Sequence, residues 1–187
     1  MNETATQRDI RISFEFFPPK SADMEAQLWD TVERLAPWQP DFVSVTYGAS
    51  GSTKEPTLAT VRRMIDDAKL RTAAHLTCVE ASKDEIQAVV QSYRDAGVRR
   101  IVALRGDPSA GIGTSYAPHP EGFAETADLV RALVEHGDFD VSVSAYPEKH
   151  PESADLAADI GVLKRKAEAG ATRALTQFFF DNDIFLR

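Results

Sequence analysis

The feature that most limits what this chain can fold into is a repeated change of period. Short runs rich in β-branched and aromatic residues alternate with stretches in which apolar residues recur every three or four positions. The strand candidates are Ile12–Phe17, Phe42–Thr46, Thr72–Cys78, Ile101–Leu104, Val141–Tyr146 and Ala174–Phe179. Between them, Met24, Leu28, Val32 and Leu35 share one helical face, and Leu58, Val61 and Ile65 share another after Pro56. A third helix carries Ile86, Val89, Val90 and Tyr93. Ser82 and Glu85 open it as a capping box, and Gly97 stops it. Leu129, Val130, Leu133 and Val134 precede Gly137, and Ile160, Leu163 and Ala167 precede Gly170.

Strands joined through helices return to the same end of a sheet and therefore run parallel. Two parallel architectures compete, a doubly wound sheet and a (β/α) barrel. A dinucleotide-binding doubly wound sheet carries G-x-G-x-x-G after its first strand. Here the first strand runs into Pro18-Pro19-Lys20-Ser21, and Gly111 and Gly113 lie in a loop. The expected fold class is α/β, a TIM-type (β/α)8 barrel. A closed barrel takes eight strands and about 250 residues. This chain has 187 residues, six strand candidates, and ends at Arg187 in the first turn of a sixth helix. The reading is one barrel domain over residues 1–187, incomplete by two strands, either a fragment or a truncated product. Asp181-Asn182-Asp183 reads as a cap with no helix after it, and two open edges are expected to be prone to association.

The net charge of −8 disfavours a nucleic-acid phosphate backbone and an anionic membrane as partners. Cys78 is the single cysteine, so no internal disulfide can form and a thiolate zinc site is excluded, as suits a reducing compartment. The opening residues MNETATQRDIR lack the apolar stretch of a signal peptide. No run of about 18 apolar residues occurs, so the expected location is soluble and cytoplasmic. Oligomeric state is not legible, and a homo-oligomer stays open.

Barrels place their chemistry at the C-terminal ends of the strands. The polar residues there are Glu15, Thr46 followed by Tyr47, His75 with Thr77, Arg105-Gly106-Asp107, Tyr146 with Glu148 and His150, and Gln177. Glu15 stands between Phe14 and Phe16, on a strand face shared with Ser13 and Phe17. If that face is the barrel interior, burial raises its pKa and keeps a proton on it for transfer near neutral pH. A Glu paired with a base, or facing solvent, is the alternative. Asp107 sits in a tight turn directly after a strand, where turn chemistry and function compete. Glu15, His75, Asp107, Glu148 and His150 could in principle hold a divalent metal, although no His-x-His or Glu-x-x-His spacing supports it. Arg165 and Lys166 read either as a solvated helix face or as a clamp for a phosphate-bearing cofactor.

Six blocks, in order, resemble the methylenetetrahydrofolate reductase family, bacterial-type catalytic domain. They are Ser13-Phe14-Glu15-Phe16-Phe17-Pro18-Pro19-Lys20, the run from Phe42 to Ala49, Ala74-His75-Leu76-Thr77-Cys78, Val102 to Asp107, Ala145-Tyr146-Pro147-Glu148 with His150-Pro151-Glu152, and Leu163-Lys164-Arg165-Lys166 with the run from Thr176 to Asp181. The resemblance implies a (β/α)8 barrel holding FAD at the strand ends. It implies a ping-pong reaction in which NADH or NADPH reduces FAD, and methylenetetrahydrofolate then becomes methyltetrahydrofolate, the methyl source for methionine. Glu15 would be the general acid toward the folate nitrogen. Asp107 would lie near flavin and pterin and stabilise a cationic iminium. Thr46 and Gln177 would contact nicotinamide or folate. Tyr47, His75, Arg105, Gly106, Asp107, Tyr146, His150, Asp159, Arg165 and Lys166 match cofactor-contact positions, the basic pair holding the diphosphate. Val162 departs from the family, where a polar cofactor contact is expected. Two other classes remain beside this one: a barrel remnant that binds no cofactor, and a metal-dependent barrel lyase using Glu15, His75 and Asp107.

Overall fold

The computed structural model of the chain describes residues 10–48, 54–108 and 116–186. Among them the strands are β1 (Ser13–Phe16), β2 (Phe42–Val45), β3 (Thr72–Thr77), β4 (Arg100–Leu104), β5 (Asp140–Ala145) and β6 (Arg173–Thr176). The helices are α1 (Ala22–Leu35), α2 (Lys54–Asp66), α3 (Lys83–Asp95), α4 (Thr126–Glu135), α5 (Leu156–Glu168) and α6 (Asn182–Leu186). Ala49, Gly111 and Gly113 of the sequence reading lie outside the described residues.

All neighbouring strands pair in parallel, and they lie side by side in chain order from β1 to β6. A doubly wound sheet reverses its order at a switch point; this sheet does not. The alternate residues Val43, Val45, Ala74, Leu76, Ile101, Ala103, Val141 and Val143 form one apolar cluster with Leu28, Val32, Met64, Ile86, Val90, Leu129 and Leu133 of the helices. The helices thus cover one face of the sheet. The other face carries a smaller cluster, Phe42, Ala73 and Val102 with Leu104 and Leu175, and otherwise polar side chains. Six parallel strands with helices outside and a mixed interior make an incomplete (β/α) barrel, the expected class.

Helix starts follow the sequence. Ser82 Oγ accepts from Glu85 N at 3.3 Å, and the Glu85 carboxylate accepts from Ser82 N at 2.9 Å, which is the predicted capping box. Three helical expectations change. The fully buried residues of α2 are Thr57, Thr60, Val61 and Met64, while the expected Leu58 and Ile65 are half-buried against the same core. The threonines are tolerated inside because their hydroxyls donate to the carbonyls of Thr46 (3.0 Å) and Pro56 (2.8 Å). In α5, Ile160 faces solvent while Asp159 and Lys166 are buried. Asp181 does cap a helix: its carboxylate accepts from Asp183 N at 2.9 Å, and the short α6 follows. Strand β6 stops at Thr176, short of the expected Phe179, and Phe178 and Phe180 stand exposed. Among the described residues no helix is long and apolar enough to cross a membrane.

Candidate active site

A cleft of about 380 Å³ opens at the C-terminal ends of β4, β5 and β6. Eight residues singled out from the sequence meet in its walls: Arg105, Gly106, Asp107, Tyr146, His150, Asp159, Lys166 and Gln177. The turn after β4 supplies the first three. Past the strand ends, Val79 N donates to Arg105 O at 2.8 Å, so the backbone of Arg105 continues the β3–β4 pairing. Gly106 then turns the chain with φ +85°, packed on Thr77 and Val79.

The wall opposite is α5. Asp155 caps it, its carboxylate accepting from Ala158 N at 2.7 Å. Asp159 and Lys166 lie seven residues apart, two turns along one face, and both point inward. Ser153 Oγ donates to Asp159 Oδ1 at 2.8 Å. Lys166 Nζ donates to the carbonyl oxygen of Ser144 at 3.1 Å and to its hydroxyl at 3.3 Å. Both acceptors are uncharged. Burial pulls the Lys166 pKa below the ordinary lysine range; the Asp159 charge opposes this and Arg105 adds to it. Val162 lines the same wall. Arg165 does not join its neighbour in the cleft. Consecutive helical residues point about 100° apart, and Arg165 pairs with Glu125 at 3.1 Å on the outside.

Arg105 is forked onto Glu152, with Nη1 at 2.5 Å and Nη2 at 3.0 Å from the two carboxylate oxygens. Its guanidinium also lies 4.5 Å above the ring of Tyr116. The hydrogen bond from Arg105 holds the Glu152 carboxyl below the usual carboxylate range. His150 Nδ1 accepts from Glu152 N at 3.1 Å, and the His150 ring meets Tyr146 edge-on at 4.7 Å. The loops after β4 and β5 are thereby tied across the cleft mouth.

Glu15 and His75 form a second group on the same helix-free face. His75 Nε2 lies 3.4 Å from Glu15 Oε2. The approach is long for a hydrogen bond, and the buried Nε2 has no other acceptor among the described residues. Of the two sequence readings of Glu15, a buried acid with a raised pKa or a carboxyl paired with a base, the structure shows the second. Its side chain is 52% exposed, and the imidazole contact, ahead of the opposing desolvation, lowers its pKa. Ser44, its register partner on β2, adds to the lowering.

Thr46 and Tyr47 do not line the cleft. Tyr47 packs against the helix-side cluster, and burial pushes its phenol up to about 12. Among the described residues no three His, Cys, Asp or Glu side chains converge to hold a metal ion, so Glu15, His75, Asp107, Glu148 and His150 do not assemble the site that a metal-dependent lyase would need. Sequence reasoning missed Glu152, Ser144 and Tyr116 as site residues. The signal for Glu152 was present in its own motif, a carboxylate two residues after His150 in a Pro-bounded loop.

A parallel sheet wound in chain order, with helices on one face and a charged cleft at its C-terminal rim, defines the (β/α) barrel class, with the cleft at the rim where barrels carry their sites. Solved structures of that fold resemble it: 2,3-dimethylmalate lyase (TM-score 0.62, 9% identity, 93% of this chain and 59% of that chain) and deoxyribose phosphate aldolase from Aeropyrum pernix (TM-score 0.58, 15% identity, 89% and 62%). At such identities the likeness concerns the fold alone. The sequence profile of methylenetetrahydrofolate reductase matches residues 1–187, and the chain belongs to that family. It is 48% identical over 181 residues to 5,10-methylenetetrahydrofolate reductase of Salmonella typhimurium, covering 97% of this chain. It is 38% identical over 192 residues to methylenetetrahydrofolate reductase (NADH) 1 of Arabidopsis thaliana. The chain spans 59% of the length of the Salmonella relative and 32% of the Arabidopsis one.

Proposed function

We propose that this chain provides the cofactor cleft and the proton donor for reduction of methylenetetrahydrofolate to methyltetrahydrofolate, with FAD as cofactor and NADH or NADPH as hydride source. The observation that carries the reading is Lys166: an ammonium only 7% exposed, whose two acceptors are neutral oxygens of one serine. A buried cation whose hydrogen bonds go to neutral oxygens is costly even with the Asp159 charge nearby. It is sensible where an anionic ligand completes the charge, and the diphosphate of FAD is such a ligand. Arg105, His150 and Tyr146 around the same cleft add a second cation, a ring donor and an aromatic face, so the residues present fit the cofactor.

When bound, FAD supplies the redox chemistry. The chain's own residues supply the rest. Lys166 neutralises the diphosphate, and Asp159 balances the lysine on its own helix. Gln177 and Thr46 contact the folate or the nicotinamide from the strand ends. Asp107, exposed at the cleft mouth, stabilises positive charge developing on the folate after ring opening. Glu15 gives its proton to the folate nitrogen, which opens the five-membered ring. The pKa direction of the open face works against that role, because His75 favours the carboxylate. A ligand laid over the half-exposed carboxyl strips its water and strengthens the opposing desolvation, which raises the pKa toward that of a competent acid.

The test separates the half-reactions in FAD-loaded protein. In Glu15→Gln, folate reduction is expected to fall by about 10²–10⁴-fold, the usual worth of a general acid, while FAD reduction by NADH or NADPH persists. Equal losses in both steps would refute the assignment. The remnant reading predicts no FAD binding at all.

A further inference from the structure

We propose that His75 is a positioning residue for Glu15: the buried imidazole, on a strand whose backbone Tyr93 ties to α3, holds the carboxyl at its station on the helix-free face of the sheet. The argument is an asymmetry in freedom. Glu15 is 52% exposed and, alone on a strand, would exchange among rotamers. His75 is 7% exposed, locked in the middle of β3 with Val102 opposite it in register on β4. Its carbonyl also accepts the Tyr93 phenol of α3 at 3.0 Å, and that tyrosine is 1% exposed. Nε2 is buried, lacks any other acceptor among the described residues, and points at Glu15 Oε2 3.4 Å away. A buried ring nitrogen in want of a partner holds the one that can reach it.

The surroundings leave His75 as the main control. From β2 the group facing Glu15 is the neutral Ser44, and from β4 the group opposite His75 is the apolar Val102. The charged side chains Arg100, Asp140 and Arg173 gather at the N-terminal ends of the strands. Arg105 and Asp107 stand in the loop beyond the C-terminal ends. The role of the pair in catalysis rests on the reading of Glu15 as proton donor; the positioning itself does not.

An Nε2–H donated to the carboxyl favours its charged form, so deleting the donor raises the midpoint of Glu15 protonation. The experiment is an infrared titration of the carboxyl band of the whole chain without ligand, the Glu15 signal being assigned by its loss in Glu15→Gln. His75→Leu is expected to shift the Glu15 midpoint upward, and His75→Gln, which keeps an N–H donor, to return it toward the parent value. If His75→Leu does not fold, the more adaptable side chain of His75→Met serves as the donor-free variant. An unmoved midpoint in the donor-free variant would overturn the proposal. So would a Gln variant displaced as far as the donor-free one, because packing alone would then be the cause. A midpoint that follows His75 while Glu15→Gln leaves folate reduction intact would remove the proton donor and keep the positioning.

Discussion

Replacing Gly106 with alanine tests whether the turn after β4 is held as the structure describes. Its φ is +85°, and a Cβ there would lie 2.5 Å from Val79 Cγ1 and 2.8 Å from Thr77 Cβ. The left-handed conformation costs a non-glycine residue about 1–2 kcal/mol. The overlap adds about 1–3 kcal/mol, as overpacking in a filled interior does. Neither neighbour can step aside cheaply: Val79 is 2% exposed, and Thr77 Cβ is fixed to the backbone of β3. The expected loss is about 2–5 kcal/mol, a large share of the roughly 5–15 kcal/mol that holds a domain together. Gly137 is the internal control. Its φ is +78°, with nothing within 4 Å of a Cβ, so Gly137→Ala is expected to lose only the backbone part, about 1–2 kcal/mol. Equilibrium urea unfolding of both variants measures the difference. Adding Val79→Ala to Gly106→Ala is expected to recover only part of the loss, because the Thr77 contact remains. Equal losses at the two glycines would refute the packing argument.

Two further outcomes follow from the same geometry. The Arg105–Glu152 fork lowers the Glu152 pKa, so its stabilisation is present above the ordinary glutamate range and is lost as pH falls through the depressed value. Glu152→Gln is expected to flatten the acid limb of a stability-versus-pH curve, and an unchanged limb would count against the pair. Tyr93→Phe removes a buried hydroxyl bonded to the His75 carbonyl and is expected to cost about 1 kcal/mol in urea unfolding; a neutral result would mean that the bond does not hold β3 to α3.

The fold was legible because its signal is redundant. Each strand–helix unit repeats the same change of period, and an error in one does not alter the class. The missing dinucleotide-binding glycines pointed to the barrel, and a barrel winds its strands in chain order as observed. The site was legible wherever a polar residue directly followed a strand, as with Arg105-Gly106-Asp107 and Tyr146. Apolar periodicity alone was least informative on α5, where only the family resemblance assigned Asp159 and Lys166 to the site. The apolar spacing groups Ile160 with Leu163 and Ala167, whereas Asp159 and Lys166 turn in and Ile160 is 56% exposed. Apolar periodicity assumes an apolar interior, and a helix that walls a charged cleft inverts that assumption. The aromatic run after Thr176 misled for a related reason: Phe178 and Phe180 have strand composition but lie past the last paired residue of β6 and are 91% and 95% exposed. The direction of the Glu15 pKa could not be decided between a buried acid and a base-paired carboxylate, because it depends on His75, a neighbour two strands away.

The central claim is that the cleft around Lys166 is a flavin site served by a nicotinamide. The most direct measurement is the visible absorption spectrum of the purified chain, before and after FAD and then anaerobically after NADH or NADPH. The account predicts a protein-bound flavin band that bleaches on addition of the nicotinamide, and that is lost or weakened in Lys166→Met. A chain that retains no flavin, or one whose flavin binding ignores Lys166, would contradict it.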